Sequence, residues 1–182
     1  MALLMAMQAL VSGVGATTPP PTGSGDWAIP VGDVTVIDLS NRPSGQILLD
    51  GDLYVNGSLT LDSIDLYMDG TSDGHRKIAV NGTLNLLNGS RVLPYNAAYC
   101  YDFWVYAAGD ISVHDSTVFD ACDMQISSSE FSISDSSLGT DVYINGASDV
   151  VLDIENIELG VDVANVGARV GSIQVSSPLD DS

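Results

Sequence analysis

A chain of 182 residues is long enough for one domain with a sizeable core, and its 45% hydrophobic content excludes general disorder. Its 24 acids, nearly all Asp, face 5 basic residues for a formal charge of −19, and no Lys or Arg occurs between Arg91 and Arg169. Such a surface repels nucleic acid and anionic membranes, which bind through basic clusters. The Asp excess, the 18 Gly and the abundant Ser favour turns and caps, and argue against an α-helical protein.

The chain opens with MALLMAMQALV, a short apolar run, and then offers small residues at Val14-Gly15-Ala16 where a signal peptidase reads. Residues 1–16 therefore read as a secretory signal, although no basic residue precedes the run. A buried N-terminal helix is the alternative. Residues 17–32, rich in Thr, Pro and Gly, read as a linker into the fold. No later stretch is long and apolar enough to span a bilayer, so no transmembrane anchor is expected and the protein is placed outside the cell or on its surface.

The heptads VNGSLTL (55–61) and VNGTLNL (80–86) are nearly identical. With Val55 and Val80 as anchors, comparable apolar positions fall at Val36, Val105, Ile126, Ile144 and Val163, at intervals of 18 to 25 residues. A period of that size marks a stacked architecture. Each copy has an alternating strand (LYV, IAV, FWV, MQI, VYI), a Gly or Ser turn and a second alternating strand, and the alternation means half-buried strands. Asp62-Ser63, Asp115-Ser116 and Asp135-Ser136, with Asn88-Gly89-Ser90 as a looser copy, then lead into a third short strand. The expectation is an all-β parallel β-helix, a solenoid of about six to seven coils over residues 33–175, ending in an acidic tail at 176–182. An antiparallel β-sandwich is the alternative. Extra residues after Met68 and Val92 both precede a new first strand, which predicts loops projecting from one corner.

The segments GDLYVNGSLTLDSIDLYMDG, GHRKIAVNGTLNLLNGSRV and YDFWVYAAGDISVHDSTVFDACD resemble archaeal surface proteins with right-handed parallel β-helix repeats. The resemblance covers about residues 33 to 160. It implies a right-handed coil and an extracellular or envelope role, in a family whose chains are often larger, glycosylated and membrane-anchored.

Among residues that could carry chemistry, Asn56, Asn81 and Asn88 head N-glycosylation sequons, although Asn-Gly is also turn chemistry because Gly tolerates positive φ. Asn145-Gly146-Ala147 has that turn without the hydroxyl. Cys100 and Cys122 are one coil apart and are expected to form a disulfide, against the alternative of two small buried hydrophobes. The loop DGTSDGHRK gathers Asp69, Asp73, His75, Arg76 and Lys77, a polar site for a ligand. Calcium would use Asp69 and Asp73, but Asp-Gly pairs are ordinary turn makers, so no metal and no cofactor is assigned. Around YNAAYCYDFWVY, either Phe103 and Val105 point inward and Trp104 and Tyr106 outward, or the reverse; outward aromatics would contact sugar or a partner. His75 and His114 lie on different coils, and a carboxylate pair of Asp110 or Asp115 with Asp135 is expected by chance in so Asp-rich a chain. The reading is an exported structural or adhesive protein and not an enzyme, with envelope components or polysaccharide as partners. The alternatives are a carbohydrate-binding or carbohydrate-cleaving β-helix, a lyase or glycoside hydrolase, and a self-assembling filament subunit.

Overall fold

The computed structural model describes residues 17–119, 121–128, 130–134, 136–139, 142–144, 150–155, 158–159, 163–165 and 170–176. The expected signal, Asp135, the Asn145-Gly146-Ala147 turn and all of the tail beyond Ser176 lie outside them.

The chain winds through short strands in sets of three. Trp27–Ile29 (β1), Val34–Ile37 (β2) and Gln46–Leu49 (β3) make the first coil, and Leu53–Val55 (β4), Ser58–Asp62 (β5) and Asp65–Met68 (β6) the second. The third holds Lys77–Val80 (β7), Thr83–Leu87 (β8) and Arg91–Pro94 (β9), and the fourth Tyr101–Val105 (β10), Asp110–His114 (β11) and Thr117–Phe119 (β12). Then follow Ala121–Ile126 (β13), Glu130–Ser134 (β14), Ser137–Gly139 (β15), Val142–Ile144 (β16), Val150–Glu155 (β17), Glu158–Leu159 (β18), Val163–Asn165 (β19) and Val170–Ser176 (β20). Among the described residues there is no helix, and the strands stack into three parallel sheets of seven, seven and six strands. This is the parallel β-solenoid the repeat predicts, not a sandwich.

Alternation explains the shape. Leu53 and Val55, Ile78 and Val80, and Phe103 and Val105 point inward from the first sheet in register, and all are buried. Leu59 and Leu61, Leu84 and Leu86, and Ile111 and Val113 do the same from the second sheet. Ile47, Leu66 and Val92 stack in the third. Each buried aliphatic contributes roughly 1.5–3 kcal/mol, and no coil can bury its own column without the coils beside it.

The corners are built differently from one another. Between the first and second sheets, the N–H groups of Asn56 and Gly57 both donate to the Ile29 carbonyl, at 2.9 and 3.0 Å, and those of Asn81 and Gly82 both donate to Val55 at 2.8 Å. None of these four residues has a positive φ. The glycine is needed for space: a Cβ on Gly57 would lie 2.2 Å from the Pro30 oxygen, and one on Gly82 2.0 Å from the Gly57 oxygen. The sequence explanation of Asn-Gly by backbone handedness is thus corrected at this corner.

Left-handed residues sit instead between the second and third sheets, at Ser63 (φ 60), Asn88 (φ 53) and Asp115 (φ 46). After them comes a buried position held by Ile64, Ser90, Ser116 and Ser136. The single Ser90 hydroxyl proton is shared between the carbonyls of Leu61 (2.9 Å) and Leu87 (2.8 Å), and Oγ accepts from Ile64 N–H (3.1 Å). Ser136 Oγ likewise accepts from Ser116 N–H at 3.2 Å and donates to Val113 at 3.3 Å. The serines stitch successive coils together where the chain turns and strand pairing stops. Asp62-Ser63 is one residue out of step with Asp115-Ser116, because Asp62 still belongs to β5 and Ile64 takes the buried serine's place.

Two further expectations are corrected. Val36 lies on β2, opposite Thr60, and the true partner of Val55 in the first coil is Ile29; likewise Ile144 pairs with Asn165 and not Val163. The solenoid also begins at Trp27, inside the segment expected as linker. Trp27 is buried, its indole N–H donates to the Thr18 carbonyl at 3.0 Å, and Thr18 Oγ1 donates to Asp33 at 2.6 Å. Residues from this segment, with β2, line a crevice of about 360 Å³.

Candidate binding face on the first sheet

The two insertions, residues 69–76 and 95–100, project from one corner between the third and first sheets, as their placement before β7 and β10 predicts. They hold each other: Gly74 N–H donates to Cys100 O at 3.1 Å, and Cys100 N–H to Asp73 Oδ1 at 3.1 Å. The expected disulfide joins Cys100 to Cys122 with the Cα atoms 4.9 Å apart. Cys122 is the extra residue where the pairing of β10 with β13 shifts register, and that bulge turns its side chain to the loop. Asp73 lies close to both cysteines, but their sulfurs are joined to each other, which leaves one carboxylate for any metal.

The residues expected to form a site in the loop do not gather there. Arg76 pairs with Asp50 and donates to the Asp69 carbonyl at 2.7 Å, so it holds the loop to the coil before it. His75 Nδ1 accepts from Thr71 N–H at 3.0 Å. Asp69 lines an open crevice of about 690 Å³ together with Thr71, Tyr95 and Tyr99. His114 is exposed at the end of β11, Asp110 is exposed at its start, Asp115 is exposed at the corner after it, and Asp135 lies outside the described residues.

Lys77 instead turns onto the outer face of the first sheet, where it meets Trp104. Tyr101, Phe103 and Val105 point inward, so Trp104 points out, while Tyr106 is exposed at the corner beyond β10. Register places Tyr54, Ala79, Trp104, Gln125 and Tyr143 in one column on this face. Lys77, Asp102 and Asp123 stand in the column beside it, with Asp52 one coil before Lys77. Because Ala79 is small, the Lys77 ammonium reaches across it, 5.3 Å from the Tyr54 ring centre and 5.7 Å from the Trp104 ring. Asp52 binds the same group: its Oδ2 is 3.8 Å from Lys77 Nζ and accepts the Tyr54 hydroxyl at 2.9 Å.

The electrostatics follow from this crowding. The hydrogen bond to Asp52, then desolvation, raises the Tyr54 phenol, and the hydrogen bond with Tyr54 raises Lys77 against its own desolvation. Asp102 is raised by burial first and by the Asp123 carboxylate next, with Lys77 opposing. The result is a ledge of aromatic rings beside a row of carboxylates, one position of which is a cation.

Sequence reasoning found Lys77 and Trp104 but missed Asp52, Tyr54, Asp102, Asp123 and Tyr143. The signal was there: GDLYV, RKIAV, YDFWV, CDMQI and TDVYI, aligned on their last residue, show both columns directly.

Of the sequon asparagines, Asn56 and Asn81 are exposed and adjacent at the first corner, where Asn81 Nδ2 donates to Asn56 Oδ1 at 3.1 Å. Asn88 is exposed too, donating to Asp62 Oδ1 at 2.9 Å, but its sequon serine is the buried Ser90.

The fold and this face define a parallel β-solenoid with an aromatic and acidic outer ledge. Comparison with protein-family models, curated proteins and solved structures finds no match to the chain. No helix among the described residues is long and apolar enough to cross a membrane.

Proposed function

We propose that this is an exported β-solenoid of the cell surface or extracellular space, structural and adhesive in role and without catalytic activity, whose adhesive contact is the outer face of the first sheet. The observation that carries the reading is the column of Tyr54, Trp104 and Tyr143 beside the carboxylates, half-buried on a rigid sheet. Aromatic rings on a rigid support bind apolar sugar faces with little loss of conformational freedom. The resemblance to archaeal surface proteins and the apolar N-terminal segment support the location. The disulfide suits an oxidising compartment. Binding of the full chain to a panel of neutral, acidic and cationic polysaccharides, with and without calcium, tests the reading; failure to bind any of them refutes adhesion to polysaccharide. Glycosylation at Asn56 and Asn81 belongs to the same proposal, and intact mass of the natively secreted protein reads it.

A second reading, glycan cleavage, rests on Asp102 and Asp123. They stand on neighbouring strands whose backbones lie about 4.8 Å apart, close enough for the two carboxyl groups to reach the separation of retaining glycosidases. The raised Asp102 has the character of a general acid. New reducing ends lost in Asp102→Asn would establish it. Filament growth would have to displace Thr18 from Asp33 and Trp27 at the first coil, and sedimentation at rising concentration tests it.

A further inference from the structure

The ledge has a period. Tyr54, Trp104 and Tyr143 occur on alternate coils of one column, with the smaller Ala79 and the polar Gln125 between them. Two inter-strand steps put successive rings roughly 10 Å apart along the solenoid axis. That is the length of one disaccharide unit in an extended β-1,4-linked glycan, in which every second sugar presents the same face.

The neighbouring column sets the charge. Asp52, Asp102 and Asp123 run alongside the rings, and Asp102 stands in register between Lys77 and Asp123, raised by burial and by the Asp123 carboxylate against the opposing Lys77. The chain itself shows what that column accepts. In the gap between Tyr54 and Trp104 the occupant is the ammonium of Lys77, held between two rings and next to Asp52. In the next gap, between Trp104 and Tyr143, the position corresponding to Lys77 is Asp123, so rings and carboxylates are repeated while the cation is not. From this complementarity we infer that the face binds a cationic β-1,4-linked glucosamine glycan laid along the solenoid axis, its amines beside Asp102 and Asp123 and its sugar faces on Trp104 and Tyr143. The inference rests on the adhesive reading above and names the glycan class.

The test is titration calorimetry of the full chain with fully deacetylated glucosamine hexamer, cellohexaose, oligogalacturonate and oligolysine at two salt concentrations. The expected result is that the glucosamine hexamer binds most tightly and loses affinity with salt. Trp104→Ala weakens it about tenfold, the order of one aromatic contact. Tyr143→Ala, a second ring outside the core, does so independently. Asp123→Asn weakens it too, while Asp115→Asn, which removes the same charge from the second corner, leaves it unchanged. Lys77→Gln tightens it several-fold by clearing a competing ammonium, a gain that loss of fold cannot imitate. If cellohexaose binds as well and Asp123→Asn has no effect, the cationic glycan is refuted while the adhesive reading stands. Oligolysine binding as tightly, with no response to Trp104→Ala, refutes it as unspecific attraction to an acidic surface. If none of these glycans binds, the inference is refuted, and the polysaccharide panel decides the adhesive reading separately.

Discussion

Replacing Gly82 by Ala tests how the solenoid turns its first corner. The added Cβ would lie 2.0 Å from the Gly57 oxygen and 2.7 Å from the Asn56 carbonyl carbon, both backbone atoms of the coil before it. Neither can rotate away, so the corner must shift by roughly 1 Å to relieve the contact. That shift strains two hydrogen bonds, Gly82 N–H to Val55 O and Thr83 N–H to Gly57 O, each 2.8 Å. Overpacking costs about 1–3 kcal/mol and the two weakened bonds about 1 kcal/mol each, for a loss of roughly 3–5 kcal/mol. Gly89 is the control. Its φ of 80° is left-handed and nothing lies within 4 Å of an added Cβ. Gly89→Ala should therefore cost about 1–2 kcal/mol, and Gly89→Asn less, since Asn tolerates that conformation. Urea unfolding followed by far-UV circular dichroism measures all of these. A Gly82→Ala loss under about 1 kcal/mol, or a Gly82→Asn variant more stable than Gly82→Ala, would show that the corner needs handedness and not space.

Ser90→Ala removes the acceptor of Ile64 N–H and the donor to two carbonyls in a buried position, and should cost about 1–3 kcal/mol in the same assay. Arg91→Ala breaks the pair with Asp65, but the arginine is half exposed, so the loss should stay below about 1 kcal/mol and shrink further in salt. Reducing Cys100–Cys122 should lower stability by roughly 3 kcal/mol, because the bridge closes a loop between residues 22 apart in the sequence. Asp102 gives a pH signature. Its folded-state value is raised above the unfolded one, so folding is penalised once the group is ionised and the penalty is absent below the ordinary aspartate range. Asp102→Asn should therefore exceed the parent in stability at neutral pH, and the difference should vanish as the pH falls below that range.

The parallel solenoid was legible because its core is periodic. Leu59, Leu61, Leu84 and Leu86 recur in two nearly identical heptads, and only stacked strands bury them all. The disulfide was legible from a one-coil spacing. The first coil was not, because Trp27, Pro30 and Thr35 stand where later coils have Leu, Asn and Leu, so Val36 was a better letter match than Ile29 despite belonging to another sheet. The binding face was half legible. Trp104 and Lys77 are conspicuous as single residues, but the column they belong to is defined by outward positions, which no core pattern constrains. Only register shows that Asp123 falls beside Asp102 and that the aromatics alternate. The loop around Asp73 and His75 drew attention through its polarity, which the structure spends on holding the loop itself.

Adhesion through the first sheet is tested most directly by incubating the natively secreted protein and its Trp104→Ala variant with a polysaccharide panel, recording bound protein and new reducing or unsaturated ends together. Saturable binding that is lost in Trp104→Ala, with no new ends, is the predicted result. New ends from the parent protein, or no binding to any polysaccharide, would contradict it.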